Sequence, residues 1–139
     1  MNWENLSKNY LFCNKIISKT SLDLEIIFAK IIEKNVQFIY LTGSYGSGKT
    51  DFVKKFAEKI GIKTKITSPS FNFMFLHEKL VHIDLDNYPG ELDEFQDYFS
   101  ENFVFIEWAN KLSKFAKNSI LINFEILNLE TRQVKFCWN

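Results

Sequence analysis

Residues Gly43-Ser44-Tyr45-Gly46-Ser47-Gly48-Lys49-Thr50 fit the pattern GxxxxGK[ST], a spacing suited to wrapping polyphosphate. Polyphosphate is densely negative, so it calls for a concave set of backbone N–H donors continued by a helix N-terminus. Gly43, Gly46 and Gly48 keep side chains out of that approach, and Ser47 lies between the last two. Lys49 supplies a point charge for the β- and γ-phosphates, and the Thr50 hydroxyl is placed to coordinate magnesium. Asp51 follows directly and is counted with the nucleotide-contacting residues. A magnesium-nucleotide site also needs carboxylates. Glu107 follows the apolar run Phe103-Val104-Phe105-Ile106, at the carboxyl end of an expected strand, where open α/β sheets bind ligands. Asp84 ends another apolar run, and a two-residue period puts His82 on its face. Lys49, Asp84 and Glu107 are therefore the candidate catalytic residues, and Thr50, Glu107 and Asp84 the candidate metal ligands. The alternative for each acid is a strand-end or capping role. Trp108, beside Glu107, either stacks on a base or partner or closes the sheet.

The elements that must position these residues are readable from periodicity. Phe38-Ile39-Tyr40-Leu41 is a short run of strand formers ending at Gly43. Phe52, Val53, Phe56, Ala57 and Ile60 repeat at helical spacing, with Gly61 at the C-terminal glycine position. Thr20 or Ser21 caps an earlier helix carrying Leu24, Ile27, Phe28 and Ile31. A strand is expected around Phe12 to Ile17, others at Leu80 to Leu85 and Phe103 to Ile106, and a helical acidic segment from Glu91 to Tyr98. Ile120 to Leu127 and Val134 to Trp138 read as an antiparallel hairpin on the sheet edge. The expected fold is α/β, P-loop NTPase-like, with a mixed, mostly parallel sheet flanked by helices.

At 139 residues, with 46% hydrophobic and 24% charged side chains, the chain suits a single domain over 1–139. Net charge of zero gives no overall field toward nucleic acid or anionic membrane. With neither a signal-like start nor a membrane-length apolar run, the expected location is cytoplasmic, and the isolated chain is expected to be a monomer. Cys13 and Cys137 lack a metal or redox spacing and are expected to be buried free thiols. His77 and His82 are too few for a metal cluster and suit core or surface roles. Asp93, Glu94, Asp97 and Glu101 read as a solvated face.

Three further segments, Thr67-Ser68-Pro69-Ser70-Phe71, His82-Ile83-Asp84-Leu85 and Phe105-Ile106-Glu107-Trp108, taken in order with the glycine loop, resemble the TsaE family, the ATPase subunit of bacterial tRNA threonylcarbamoyladenosine synthesis. The resemblance covers most of the chain. It implies that Lys49 and Thr50 bind phosphate and magnesium, that Glu107 is a metal ligand, and that Asp84 supports metal binding or hydrolysis. It also puts Trp108 on the family's functional tryptophan and makes Thr67 to Phe71 a switch-like loop sensing the γ-phosphate. The implied partners are TsaB and TsaD homologues, with tRNA reached only through that complex, and the implied cofactors are ATP or ADP and Mg²⁺. The chain departs from the family pattern at Asp86 and Asn87, where Tyr-Arg is usual, and at Asp51, where a second threonine is common. Arg132, the chain's one arginine, aligns loosely with a family arginine. Two other readings compete: a nucleotide-dependent assembly switch with negligible hydrolysis, and a small P-loop kinase, against which the single arginine argues.

Overall fold

The computed structural model describes residues 3–63, 65–66 and 73–139; the segment Thr67 to Phe71 lies outside them. Seven strands form one sheet: β1 (Phe12–Ser18), β2 (Phe38–Gly43), β3 (Met74–His77), β4 (Leu80–Asp84), β5 (Phe103–Glu107), β6 (Ser119–Asn128) and β7 (Thr131–Trp138), in the spatial order β1-β7-β6-β2-β5-β4-β3. The centre, β6-β2-β5-β4, is parallel, while β1 with β7, β6 with β7 and β3 with β4 are antiparallel. The sheet is therefore mixed, with the C-terminal hairpin β6-β7 as expected. β1 covers the hairpin's outer strand, so the hairpin lies one strand in from the edge.

Alternation along the central strands sorts side chains onto two cores. Ile39, Leu41, Leu80, Phe105, Ile120 and Ile122 point to one face, where α2 (Glu25–Glu33) adds Ile27, Phe28 and Ile31 and α3 (Lys49–Lys59) adds Phe52, Val53, Phe56 and Ala57. Those helix positions are the i, i+3, i+4 stripes legible in the sequence. Phe52 and Phe56 meet Phe28 and Phe105 at ring distances of 4.9 to 6.3 Å. The opposite face holds Tyr40, Val81, Ile83, Val104, Ile106 and Leu121. It is covered by shorter pieces: Leu6 from α1 (Trp3–Ser7), the 3₁₀ segments Leu92–Tyr98 and Ala109–Lys111, and partly buried Phe95, Phe99 and Phe115. The acidic segment is thus a 3₁₀ helix, with Leu92 and Phe95 inward and Asp93, Glu94 and Asp97 exposed.

The expectation of two free buried thiols is overturned. Antiparallel pairing of β1 with β7 sets Cys13 directly opposite Cys137, with Cα atoms 4.1 Å apart, and the two form a disulfide. Cys137 is buried, whereas Cys13 sits on the exposed edge strand. A separation of 124 residues conceals the pairing in the sequence.

Candidate nucleotide-binding site

The glycine loop joins central strand β2 to α3, and its backbone explains its glycines. Gly48 precedes the helix at φ 117°, a conformation that side chains with a Cβ rarely adopt. At Gly43, φ is 140°, and a Cβ would lie 2.6 Å from the Phe124 carbonyl oxygen and 2.6 Å from Ser47 Oγ. Nothing but hydrogen fits between β2 and β6 there. Among the described residues no side chain caps the start of α3, so its first-turn N–H groups remain donors toward an anion. Ser47 is buried, and its hydroxyl has no partner among the described residues.

Lys49 is 5% exposed. Its Nζ donates to the Gly43 carbonyl at 2.6 Å and the Ser44 carbonyl at 2.9 Å. The Trp108 ring lies over the amine, 4.4 Å from Nζ to the ring centroid, and Tyr45 packs on Trp108 at 4.8 Å. Desolvation pulls the Lys49 amine below its ordinary range, against the upward pull of Glu107, Asp84 and Asp86. Trp108 holds left-handed backbone angles, φ 59° and ψ 38°, a conformation costly for a bulky residue. That bend follows Glu107 and sets the indole beside the phosphate loop.

The acids converge from neighbouring strands. Asp84 of β4 pairs in register with Glu107 of β5, and both are buried. Thr50 Oγ donates to Glu107 Oε2 at 2.8 Å, tying α3 to the end of β5. Burial raises the Asp84 carboxyl above its usual range, with Glu107 adding to the rise and the Asp86 N–H, which donates to Asp84 Oδ1 at 2.9 Å, opposing it. Lys49, Thr50, Asp51, Asp84, Glu107 and Trp108, with Gly46 and Gly48, line one cleft of about 510 Å³. On the far side of the loop, Thr20, Ser21, Leu24, Asp51, Phe124 and Arg132 line a second cleft of about 700 Å³. Both are of ligand size. Trp108 lies at the first and not the second. Asp51 is exposed where the two meet.

Magnesium favours oxygen ligands and is commonly held by one or two carboxylates together with substrate phosphates. A hydroxyl bonded to a buried carboxylate, with a second carboxylate in register beside it, fits that requirement. No group of three His, Cys, Asp or Glu residues among those described forms a self-sufficient metal cage.

Three contacts escaped the sequence reading. His82 Nε2 lies 2.5 Å from Glu107 Oε2, a contact hinted at only by the shared face of His82 and Asp84. Tyr45 donates its hydroxyl to Asp86 at 2.5 Å, so one departure from the family pattern faces the glycine loop. Arg132 donates from Nε to the Ser47 carbonyl at 3.2 Å and from Nη2 to the Gly46 carbonyl at 3.4 Å. No local signal gives that contact, because 85 residues separate Arg132 from Ser47.

A glycine loop between a central parallel strand and a helix, with acids at the ends of neighbouring strands, places the chain among P-loop NTPase-like α/β proteins. The family model for "Threonylcarbamoyl adenosine biosynthesis protein TsaE" matches residues 18–134, and the chain belongs to that family. It is 31% identical over 108 residues to the tRNA threonylcarbamoyladenosine biosynthesis protein TsaE of Aquifex aeolicus, covering 73% of this chain and 77% of that one. It is 27% identical over 117 residues to the protein of the same description from Treponema pallidum, covering 78% and 86%. The fold is similar to the crystal structure of Bacillus subtilis YdiB, with a TM-score of 0.66, 22% identity, and coverage of 90% of this chain and 84% of that one. Among the described residues, no helix is long and apolar enough to cross a membrane.

Proposed function

We propose that this chain, acting as one domain, is an ATP-Mg²⁺-binding ATPase subunit of tRNA threonylcarbamoyladenosine modification that works with TsaD and TsaB homologues. The observation that carries the reading is the hydrogen bond from Thr50 to Glu107, beside a buried Lys49 at the mouth of an uncapped helix. Bound magnesium would neutralise phosphate charge and be held by Thr50 and Glu107, with Asp84 beside them. The chain's own contribution is to position and stabilise. The α3 N-terminus and loop N–H groups receive the phosphates, and the Lys49 amine exchanges the Gly43 and Ser44 carbonyls for phosphate oxygens. The indole of Trp108 shields that amine from water, strengthening its charge interactions. The second cleft, beyond the loop and away from Asp84 and Glu107, is where the base and ribose would extend. The kinase reading is disfavoured because Arg132 is engaged with loop carbonyls and not presented to an acceptor.

The test is magnesium-dependent phosphate release from ATP by the purified chain, with and without its organism's TsaB and TsaD homologues. Stimulated release that falls by about 100-fold or more in both Lys49→Ala and Glu107→Ala is the expected outcome. ATP binding without release under either condition would replace this reading with the assembly switch.

A further inference from the structure

We propose that His82 is a positioning residue for the magnesium site, holding the Glu107 carboxylate in the orientation that presents Thr50 to the cation; this rests on the nucleotide-site reading above. His82 is fully buried in β4, between Phe75 of β3 and Phe105 of β5 in register. One ring nitrogen, Nε2, lies 2.5 Å from Glu107 Oε2. The other, Nδ1, is buried with no hydrogen-bond partner among the described residues. Because carboxylate oxygens accept and do not donate, Nε2–H is the donor and Glu107 the acceptor.

The same oxygen accepts the Thr50 hydroxyl hydrogen at 2.8 Å. That bond uses the single hydrogen of the Thr50 hydroxyl and leaves the oxygen's lone pairs to face a cation. The position of Oε2 therefore fixes the direction of the Thr50 lone pairs, and His82 fixes Oε2 from behind. The remaining rotation of the Glu107 side chain is removed by a rigid ring on a central strand rather than by a flexible surface group.

A purely structural role explains these facts poorly. Burying a histidine beside a carboxylate carries a desolvation cost that its attraction need not recover, and an apolar residue would fill the space without it. The orphaned Nδ1 adds a further cost. What the imidazole supplies and an apolar side chain cannot is a directed hydrogen on the oxygen that also orients Thr50. Outer partners of this kind commonly change metal affinity by about 10- to 100-fold when removed.

The experiment compares His82→Gln, whose amide nitrogen can occupy the place of Nε2, with His82→Asn, whose amide nitrogen falls nearer Nδ1, and with His82→Leu. For each variant, after cooperative thermal unfolding establishes that it is folded, a fluorescent ATP analogue is titrated at fixed concentration with MgCl₂ and separately in EDTA. We expect the half-saturating magnesium concentration to rise about tenfold in His82→Asn and His82→Leu and to stay near wild type in His82→Gln, with binding in EDTA alike in all. In a Glu107→Ala background the His82→Asn effect should vanish, because the oxygen through which it acts is gone. Equal magnesium dependence in the Gln and Asn variants and wild type, or a His82→Asn effect that persists with Glu107→Ala, would overturn the inference while leaving the nucleotide site standing. Nucleotide binding by wild type that is indifferent to magnesium would overturn the inference alone, and no nucleotide binding with or without magnesium would overturn both.

Discussion

Lys49 is held by the loop it serves, its amine satisfied by two carbonyls and capped by an indole. Asp84 has the opposite problem. Its carboxyl is raised by burial and by the nearby Glu107, so the native chain holds the Asp84 proton more tightly than the unfolded chain does. Ionising it costs folding free energy. That penalty is absent below the unfolded-state value, develops as pH rises through the raised native value, and is fully present above it. Asp84→Asn removes the charge while its side-chain oxygen can still accept the Asp86 N–H. In EDTA at about pH 7 the variant should therefore melt above wild type, with the difference closing as pH falls toward about 4. In the same variant, magnesium-dependent nucleotide binding should weaken. A variant that melts below wild type at neutral pH would contradict the burial penalty. Asp86 offers a parallel case, since it takes the Tyr45 hydroxyl at the cleft mouth. Asp86→Asn removes a charge repelling polyphosphate and should tighten ATP binding by on the order of 1 kcal/mol at most, about fivefold, in a low-salt titration.

The β2-loop-α3 unit was legible because each part carries its own local signal: strand formers, glycines at fixed spacing, and a helical stripe. What supports the loop was not. Gly43 reads as a phosphate-loop glycine, yet its backbone angle and the Phe124 carbonyl beside it make it equally a packing position. Gly43→Ala should therefore cost about 3 kcal/mol, measured as a lower denaturant midpoint even without nucleotide. A loss confined to ATP binding would show that the strands can separate to admit the methyl. Arg132 reaches the loop from β7 and also donates to the Asn128 and Thr131 carbonyls, joining the hairpin turn to the phosphate loop. Charged hydrogen bonds of this kind are worth about 1.5 kcal/mol or more. Arg132→Ala should weaken ATP binding about tenfold in a fluorescence titration. Arg132→Lys should not restore it, because an ammonium lacks the planar fork that spans several carbonyls.

At the scale of the molecule, the central parallel strands could be read from apolar runs, whereas the margins depended on distant partners. β3 is a four-residue strand whose Met-Phe-Leu-His sequence carries no clear alternation, and it is defined by pairing with β4. β1 was visible as a strand but not as the neighbour of the chain's last strand. That neighbour fixes the Cys13–Cys137 disulfide, which spans 124 residues and connects the exposed edge to the buried β7. A cross-link over so long a loop restricts the unfolded chain strongly, by about 5 kcal/mol in a chain-entropy treatment, with measured effects often smaller. Oxidised protein should therefore show no free thiol when denatured without reductant, and its urea midpoint should fall on adding dithiothreitol. Because the bond lies on the β1 side of the sheet and the acids lie on β4 and β5, reduction should leave magnesium-dependent ATP binding within about twofold, provided the chain stays folded. Two titratable thiols in unreduced, denatured protein would instead show that pairing of the strands does not lead to the bond.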